Sequence, residues 1–559
     1  MTLSIPLPLA EAGSCAASGS VMTDEAHEPT RSGGGGGPSV YLETFGCQMN
    51  VLDSQLVRGQ LRALGYRFTD DWKSADVVLY NTCSVREVAE NKVWSRVGRV
   101  GKHKREHPGV VLGVIGCMAE RDGQDLAARH PQVDVLCGPG ELDKVPMLID
   151  NVLKTRVEER GGKGAAQVAL QGNTHRRSGT LAAAEDKLEL VDLSRSLEPD
   201  ETLAGGRSAY VRITRGCNKL CTYCVVPHTR GAEVHRPPEH IVDECKRLAD
   251  AGAVEVTLLG QTVNHYHYDH AAAMSVGGVL QPQVGTVISP NRGNGGPSPT
   301  FNDTTTSFAD LLHRIHEEVP ALRRIRFVTS LPRDFGDDIL AVIRDCPRLC
   351  RYLHLPVQSG SDRVLKLMNR GYRVSQYLDL VDRVRSFIPG AELATDIICG
   401  FPTETDDDHQ HTAELLRRGR FKNSFIFKYS PRPGTAAIDR FADDVPPDVK
   451  KQRNNELLAI QSEVSAGVHA AYVGRTVPVF VEQVSARSRK AVEGAAPGGP
   501  SVTLGWQPER TVTQLSGRTD GDLIVMFDGP PEWIGSIVDV EIERAAPLAL
   551  FGRRVAGSG

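Results

Sequence analysis

Residues 208–231 read SAYVRITRGCNKLCTYCVVPHTRG. A short β-type run leads directly into three cysteines, Cys217, Cys221 and Cys224, spaced C-x3-C-x2-C. A tight turn carrying three thiolates can hold three irons of a cubane 4Fe–4S cluster and leaves the fourth iron without a protein ligand. An open coordination position is what admits a substrate or cofactor to a metal. The same cysteines with His228, four residues after Cys224, also make a zinc set. All four ligands would then lie within twelve residues, whereas structural zinc sites usually join two separate knuckles.

Downstream, β-type runs recur near 253–259, 323–329, 351–357, 391–399 and 423–429, with helix-type segments between them. Six strand–helix units over 208–445 predict a partial, open (β/α)6 barrel of TIM-like construction, whose site gathers at the strand ends. Gly260, Gln261, Ser330, Gln358 and Asp396 fall at or near those ends. A polar Gly/Pro/Asn-rich stretch at about 265–306 interrupts the pattern and reads as a surface insertion. His265, His267, His270 and the more distant His313 are residues of metal-binding type, although a solvated loop is the plainer reading.

Upstream, residues 39–154 alternate strand and helix, which predicts an N-terminal parallel α/β sandwich. YLETFGC, ADVVLYNTC and GVVLGVIGC each end in a cysteine: Cys47, Cys83 and Cys117. All carboxyl ends of a parallel sheet lie along one edge, where α/β folds place ligands. One such cysteine is a core residue by default; three at equivalent positions read as a second metal site. Cys137 ends the next strand and is taken as packing.

Residues 1–38 read as a disordered leader and 155–207 as a linker. Residues 471–545 break into short β-type runs of a small C-terminal β-barrel. The chain has 559 residues, twelve cysteines and a net charge of −4. RNA would therefore have to be held by local basic patches, because the overall field does not attract phosphate. The stretch from Lys92 to His107, with Arg96, Arg99, Lys102, Lys104 and Arg105, reads equally as such a patch or as a solvated basic face. No apolar run is long enough for a membrane span and the N-terminus lacks a positive signal region. A cytoplasmic monomer is expected.

ETFGCQMN (43–50), YNTCSVREVAENK (80–92), GVIGCMAER (113–121), CNKLCTYCVVPHTRG (217–231), LLGQTVNHY (258–266), HLPVQSGSD (354–362), TDIICGFPTET (395–405) and KYSPRPGT (428–435) resemble the methylthiotransferase family of radical S-adenosylmethionine enzymes. The terminal barrel resembles the TRAM module, which helps such enzymes hold RNA. Residues 471–545 nevertheless carry seven Lys/Arg against ten Asp/Glu, so any grip there falls to a local face such as Arg487, Arg489 and Lys490. Gln48 and Met49 after the first cysteine favour the branch acting on N6-(dimethylallyl)adenosine of tRNA. Branches acting on a ribosomal protein or on another modified adenosine carry different flanks. His228 stands where the family usually has tyrosine, and Thr262 where it has asparagine.

The resemblance implies two 4Fe–4S clusters, on Cys47/Cys83/Cys117 and on Cys217/Cys221/Cys224. The first would carry the sulfur and the second would generate an adenosyl radical from S-adenosyl-L-methionine. Gly260, Gln261, Ser330, Gln358 and Asp396 are the expected cofactor pocket. A low-potential electron donor, a sulfur source and tRNA are the expected partners. The rival reading from another class is a zinc-stabilised RNA-binding protein without catalysis.

Overall fold

The three cysteine-terminated runs become neighbouring strands of one sheet in the computed structural model. It describes residues 37–84, 87–158, 166–170, 203, 206–271, 275–276, 279–280, 283–284, 304–485, 488 and 513–555. Strands β1 (Ser39–Thr44), β2 (Arg67–Phe68), β3 (Val77–Thr82), β4 (Val111–Gly116), β5 (Val135–Cys137) and β6 (Gln167–Ala169) run parallel in the order β2-β1-β3-β4-β5-β6. Every residue of β3 and β4 is buried, as expected of strands covered by helices on both faces. Helices α1 (Gln48–Ala63) and α4 (Val145–Glu158) cover one face with Val57, Leu61, Val145 and Ile149. Helices α2 (Glu87–Glu106) and α3 (Cys117–Arg129) cover the other with Val93, Val97, Met118 and Leu126. Strand β6 lies inside the stretch expected to be a linker; most of 155–207 and of the 1–38 leader lies outside the described residues.

The next six strands are β7 (Ser208–Arg212), β8 (Glu255–Leu259), β9 (Arg324–Phe327), β10 (Tyr352–His354), β11 (Glu392–Cys399) and β12 (Asn423–Lys428). They form two parallel ladders, β7-β8-β9 and β10-β11-β12. A bridge from Ile325 to Leu349 and a hydrogen bond from the Ser330 amide to the His354 carbonyl (3.2 Å) join the two into one open half-barrel. Helices α5 (Pro238–Asp250), α6 (Phe308–Glu318), α7 (Asp337–Asp345), α8 (Val374–Phe387) and α9 (Asp406–Gly419) wrap its outside. Their apolar faces, such as Ile241, Cys245 and Leu248 on α5 and Leu311, Leu312 and Ile315 on α6, share one core with the strands.

The insertion is not a wholly solvated loop. His267–Asp269 pairs antiparallel with Thr305–Ser307, and Gln283–Val284 pairs with Val234–His235 beside the cysteine loop. His265, Tyr266 and Tyr268 are buried. His265, His267, His270 and His313 do not gather into one group: His270 bonds Thr306 and His313 lies beside Cys346.

Helix α10 (Pro447–Ala470) links the half-barrel to a closed five-stranded barrel: β13 (Thr476–Val484), β14 (Gln514–Arg518), β15 (Ile524–Asp528), β16 (Ile537–Ala546) and β17 (Ala549–Arg554). Strand β17 lies past residue 545, where the barrel was expected to end, and closes it by pairing with both β15 and β16. Arg487, Arg489 and Lys490 lie outside the described residues. No described helix is long and apolar enough to cross a membrane.

Candidate active site

Strands β1, β3 and β4 are in register at their carboxyl ends, Thr44 opposite Asn81 and Asn81 opposite Ile115. Cys47 therefore caps α1, Cys83 follows β3 by one residue, and Cys117 opens α3. The Cys117 thiol has Cys83 and Cys47 among its nearest ionisable neighbours. Two buried asparagines hold this edge together. Asn50 accepts from the Cys47 thiol (3.3 Å) and donates to Asn81 Oδ1 (3.1 Å) and the Thr82 carbonyl (3.0 Å). Asn81 donates to the Asn50 carbonyl (2.8 Å) and Ser54 (2.9 Å).

The second triad sits beyond β7 in the loop that ends in a short helix, Val226–Thr229. Cys217 lies 3.6 Å from Thr262 Oγ1, and Cys224 has Cys221 and Cys217 as its nearest charged neighbours. Burial pushes the Cys117 thiol up to about 11 and Cys217 to about 12, and raises Cys224 as well. Free thiols there hold their protons at neutral pH, so ligating a metal releases them. All eleven described cysteines are free of disulfides.

Each triad has its own buried arginine. Arg370 Nη1 lies 3.4 Å from Cys221 Sγ and 3.3 Å from Tyr223 Oη, and its Nη2 donates to the Pro356 carbonyl (2.6 Å). Arg230, six residues after Cys224, crosses to the N-terminal sheet and pairs with Asp53 on α1 at 2.6 Å. Cys117 and Cys47 are its next charged neighbours, and its Nη1 is buried without a hydrogen-bond partner. The loop that carries the barrel triad thus reaches the thiol edge of the N-terminal sheet. Met49, Leu52 and Leu56 of α1 pack on Leu259 and Val328 at the strand ends and on Tyr210 within β7. Glu90 ties the same boundary, bonding Arg121 (2.9 Å) and Arg432 (2.6 Å).

The residues around the triads fit clusters better than single ions. Among the described residues, the group of three or more ligand side chains whose donor atoms lie within 4.8 Å of one another is Glu233, His235 and His265. Neither cysteine triad closes to that extent, whereas one zinc ion with bonds of about 2.3 Å would draw its sulfurs to about 3.8 Å. Buried polar atoms without partners also gather here: Gln261 Oε1, Ser330 Oγ and Thr214 Oγ1 beside the barrel triad, and Ser84 Oγ beside the other. Such atoms are costly unless a bound molecule satisfies them.

The five expected pocket residues fall into two groups, three around the end of β8 and two joining β10 to β11. Gly260 and Gln261 directly follow β8, and the turn they begin is tied to the residue before Ser330, the Val263 amide donating to the Thr329 carbonyl (3.0 Å). A side chain at Gly260 would collide with Thr214 Oγ1. Gln358 adopts a positive φ of 81° and donates its amide to the Asp396 carbonyl (2.8 Å). Asp396 lies within β11, not past its end, and its side chain meets His354 Nε2 at 3.0 Å. Arg230, Arg370, Asn50, Asp53 and Glu233 went unrecognised in the sequence. Arg230 and Glu233 stand close behind the cysteine motif; Arg370 carries no local signal at all.

The basic patch is partly engaged. Lys104 pairs with Asp134, and Arg96 with Glu43 at 3.2 Å. Lys92, Arg96 and Arg99 line a cleft with Thr44 and Phe45, two residues from Cys47.

Residues 39–138 match the Uncharacterized protein family UPF0004, residues 211–416 the Radical SAM superfamily, and residues 512–555 the TRAM domain. The chain is 39% identical over 516 residues to the tRNA-2-methylthio-N(6)-dimethylallyladenosine synthase of Rhodopirellula baltica, covering 92% of this chain and 95% of the relative. It is 38% identical over 516 residues to the enzyme of that name from Akkermansia muciniphila, covering 92% of this chain and 98% of the relative. Among solved structures it is similar to the radical S-adenosylmethionine methyltransferase TsrM of Kitasatospora setae, at 15% identity and a TM-score of 0.44 over 70% of this chain and 73% of that one; a likeness that low bears no argument. The relatives, shared nearly end to end, leave no room for a non-catalytic zinc protein: the chain is an enzyme and belongs to the methylthiotransferase family of radical S-adenosylmethionine enzymes, the family of the tRNA-2-methylthio-N(6)-dimethylallyladenosine synthases.

Proposed function

We propose that this enzyme places a methylthio group on C2 of N6-(dimethylallyl)adenosine next to the anticodon of tRNA. In this reading it uses S-adenosyl-L-methionine and two 4Fe–4S clusters, one on Cys47, Cys83 and Cys117 and one on Cys217, Cys221 and Cys224. The observation that carries it is Arg230: a residue of the radical domain, buried against Asp53 and the thiols of the first triad. It supports two sites facing one shared space, as a transfer between them requires.

When bound, these groups would supply a radical able to take the non-acidic C2 hydrogen, a sulfur to replace it and, from a second S-adenosyl-L-methionine, the methyl group on that sulfur. The chain's own residues hold and screen. Arg230 and Arg370 set positive charge beside each ligand set, offsetting the negative charge that thiolates bring into a buried site. Gln261 Oε1 and Ser330 Oγ, buried without partners, would hold the methionine part of the cofactor, and Gly260 leaves room for Thr214 behind them. Gln358 and Asp396 shape the far side of that pocket. Met49, Leu52 and Leu56 with their barrel partners keep water from the space between the domains. Lys92, Arg96 and Arg99 take the RNA backbone next to Cys47. An external low-potential electron donor and a sulfur source complete the cycle.

The test is anaerobic purification with iron and sulfide counted per chain. About eight irons are expected, falling to about four when either cysteine triad is changed to alanine, and tRNA from cells lacking the enzyme should gain a methylthioadenosine when it is supplied. About four irons, lost only with the barrel triad, would overturn the two-cluster reading. A methylthiolated ribosomal protein with unmodified tRNA would overturn the substrate.

A further inference from the structure

Glu233, His235 and His265 meet in the barrel rim beside Cys217, and none is needed by the chemistry above. Glu233 is fully buried, and His235 and His265 are 2% and 6% exposed. Their ligand atoms all lie within 4.8 Å of one another. Glu233 Oε2 is 2.8 Å from His265 Nδ1. Glu233 Oε1 and His235 Nδ1, both buried, have no hydrogen-bond partner. Two polar atoms of one buried carboxylate–histidine group are thus left without a partner, an arrangement that is costly unless a bound ion satisfies it.

We infer that Glu233, His235 and His265 form a site for one divalent zinc-type ion, distinct from either cysteine triad. Two imidazoles and a carboxylate are a ligand set zinc accepts, with a fourth position left for water. Bonds of about 2.0–2.1 Å set the donor atoms of a tetrahedral ion about 3.4 Å apart, so Glu233 Oε2 and His265 Nδ1, now 2.8 Å apart, would open slightly around it. The backbone is built to hold them. His235 lies on the middle strand of a ribbon, paired with Thr214 on one side and with Gln283 of the insertion on the other. Glu233 is fixed by its amide, which donates to Asn218 Oδ1 at 3.0 Å. His265 ends the helical turn Val263–His265 that follows β8, and Asn264 locks that turn to Leu331 with two hydrogen bonds of 2.8 and 3.0 Å. The ion therefore pins the return strand of the cysteine loop to the end of β8, and clamps the loop that carries Cys217, Cys221 and Cys224.

The test uses the anaerobically prepared full chain with its iron–sulfur clusters, equilibrated with zinc and passed over a chelating resin. About one zinc per chain should remain, and zinc-edge X-ray absorption should show nitrogen and oxygen neighbours at about 2.0–2.2 Å with no sulfur shell near 2.3 Å. His235→Ser and His265→Gln should each lose the zinc and keep the cluster iron. A variant that sheds its iron as well is misfolded, and the other variant with the wild-type spectrum then decides. No retained zinc, a zinc–sulfur shell, or zinc kept by both variants would each overturn the site. Because iron is counted in the same samples, failure of the clusters is read separately from failure of this ion.

Discussion

Gly216, the residue before Cys217, has φ of 77°, and a Cβ there would strike the carbonyl oxygen of Ala232. The obstacle is backbone and cannot swing away, so Gly216→Ala is expected to displace the cysteine loop. If each triad holds a cluster as proposed, the measurable result is loss of the iron of the barrel triad, with that of the N-terminal triad retained. Arg230 lends itself to a sharper test. Removing one member of a buried ion pair leaves the other charged and unpaired, which costs about 3–5 kcal/mol. Arg230→Met should therefore destabilise strongly, while Arg230→Met with Asp53→Asn should recover part of the loss; a denaturation midpoint for the four proteins of the cycle reads the coupling. The six cysteines were legible in the sequence because their type, spacing and strand-end positions speak locally. Arg230 and Asp53 were not, because their meaning arises from 177 residues of separation closing to 2.6 Å.

Helix α10 shows why an element can be present and still hard to read. Its buried face holds Lys450, Arg453, Gln461, Ser465 and His469 beside Leu457 and Ile460, so it lacks the apolar stripe by which helices are recognised. Polar bonds dock it instead: Arg453 to Glu404 (3.0 Å) and Asp406 (2.7 Å), and Gln461 to the Phe421 carbonyl (2.9 Å). Arg453→Met should cost about 3–5 kcal/mol by stranding Glu404, whose side chain is buried, and should appear as a lower melting temperature. The paired ends of the insertion escaped notice for a related reason: two-residue strands carry no periodicity. Helix α2, by contrast, displayed its charge openly. Changing Lys92, Arg96 and Arg99 to glutamate should weaken tRNA binding more than tenfold and flatten its salt dependence, about one counterion per contact removed, with iron content unchanged.

Across the whole molecule, the succession of sandwich, half-barrel and closed barrel followed from alternation and strand length alone, whereas the docking of the parts did not. The terminal barrel sits beneath the half-barrel, at the amino ends of its strands. Arg324 donates to the carbonyls of Arg518 (2.7 Å) and Pro478 (2.8 Å), and Lys422 pairs with Asp522 (2.6 Å). Those residues lie at or just before the starts of β9 and β12, the end opposite the thiols. Burial acts to raise the Asp522 carboxyl, but Lys422, Arg518 and Arg326 outweigh it and hold it at about 2, below its ordinary 3.8. A depressed carboxyl lends stability that is complete above its unfolded value and fades as pH falls through the folded one. The barrel should thus stay docked above about pH 4 and loosen toward about pH 2, followed by limited proteolysis; Asp522→Asn should be loose at every pH. The two arginines at the thiol triads have a separate consequence. Both are nearly excluded from solvent, at 3% and 6% exposure, so dissolved ions screen their fields far less than they screen the cleft on α2. Under the proposed function, ionic strength should then act as a selective dial, releasing the nucleic acid while leaving the electronic environment of the two thiol triads, and the reduction potentials of clusters bound there, where they were.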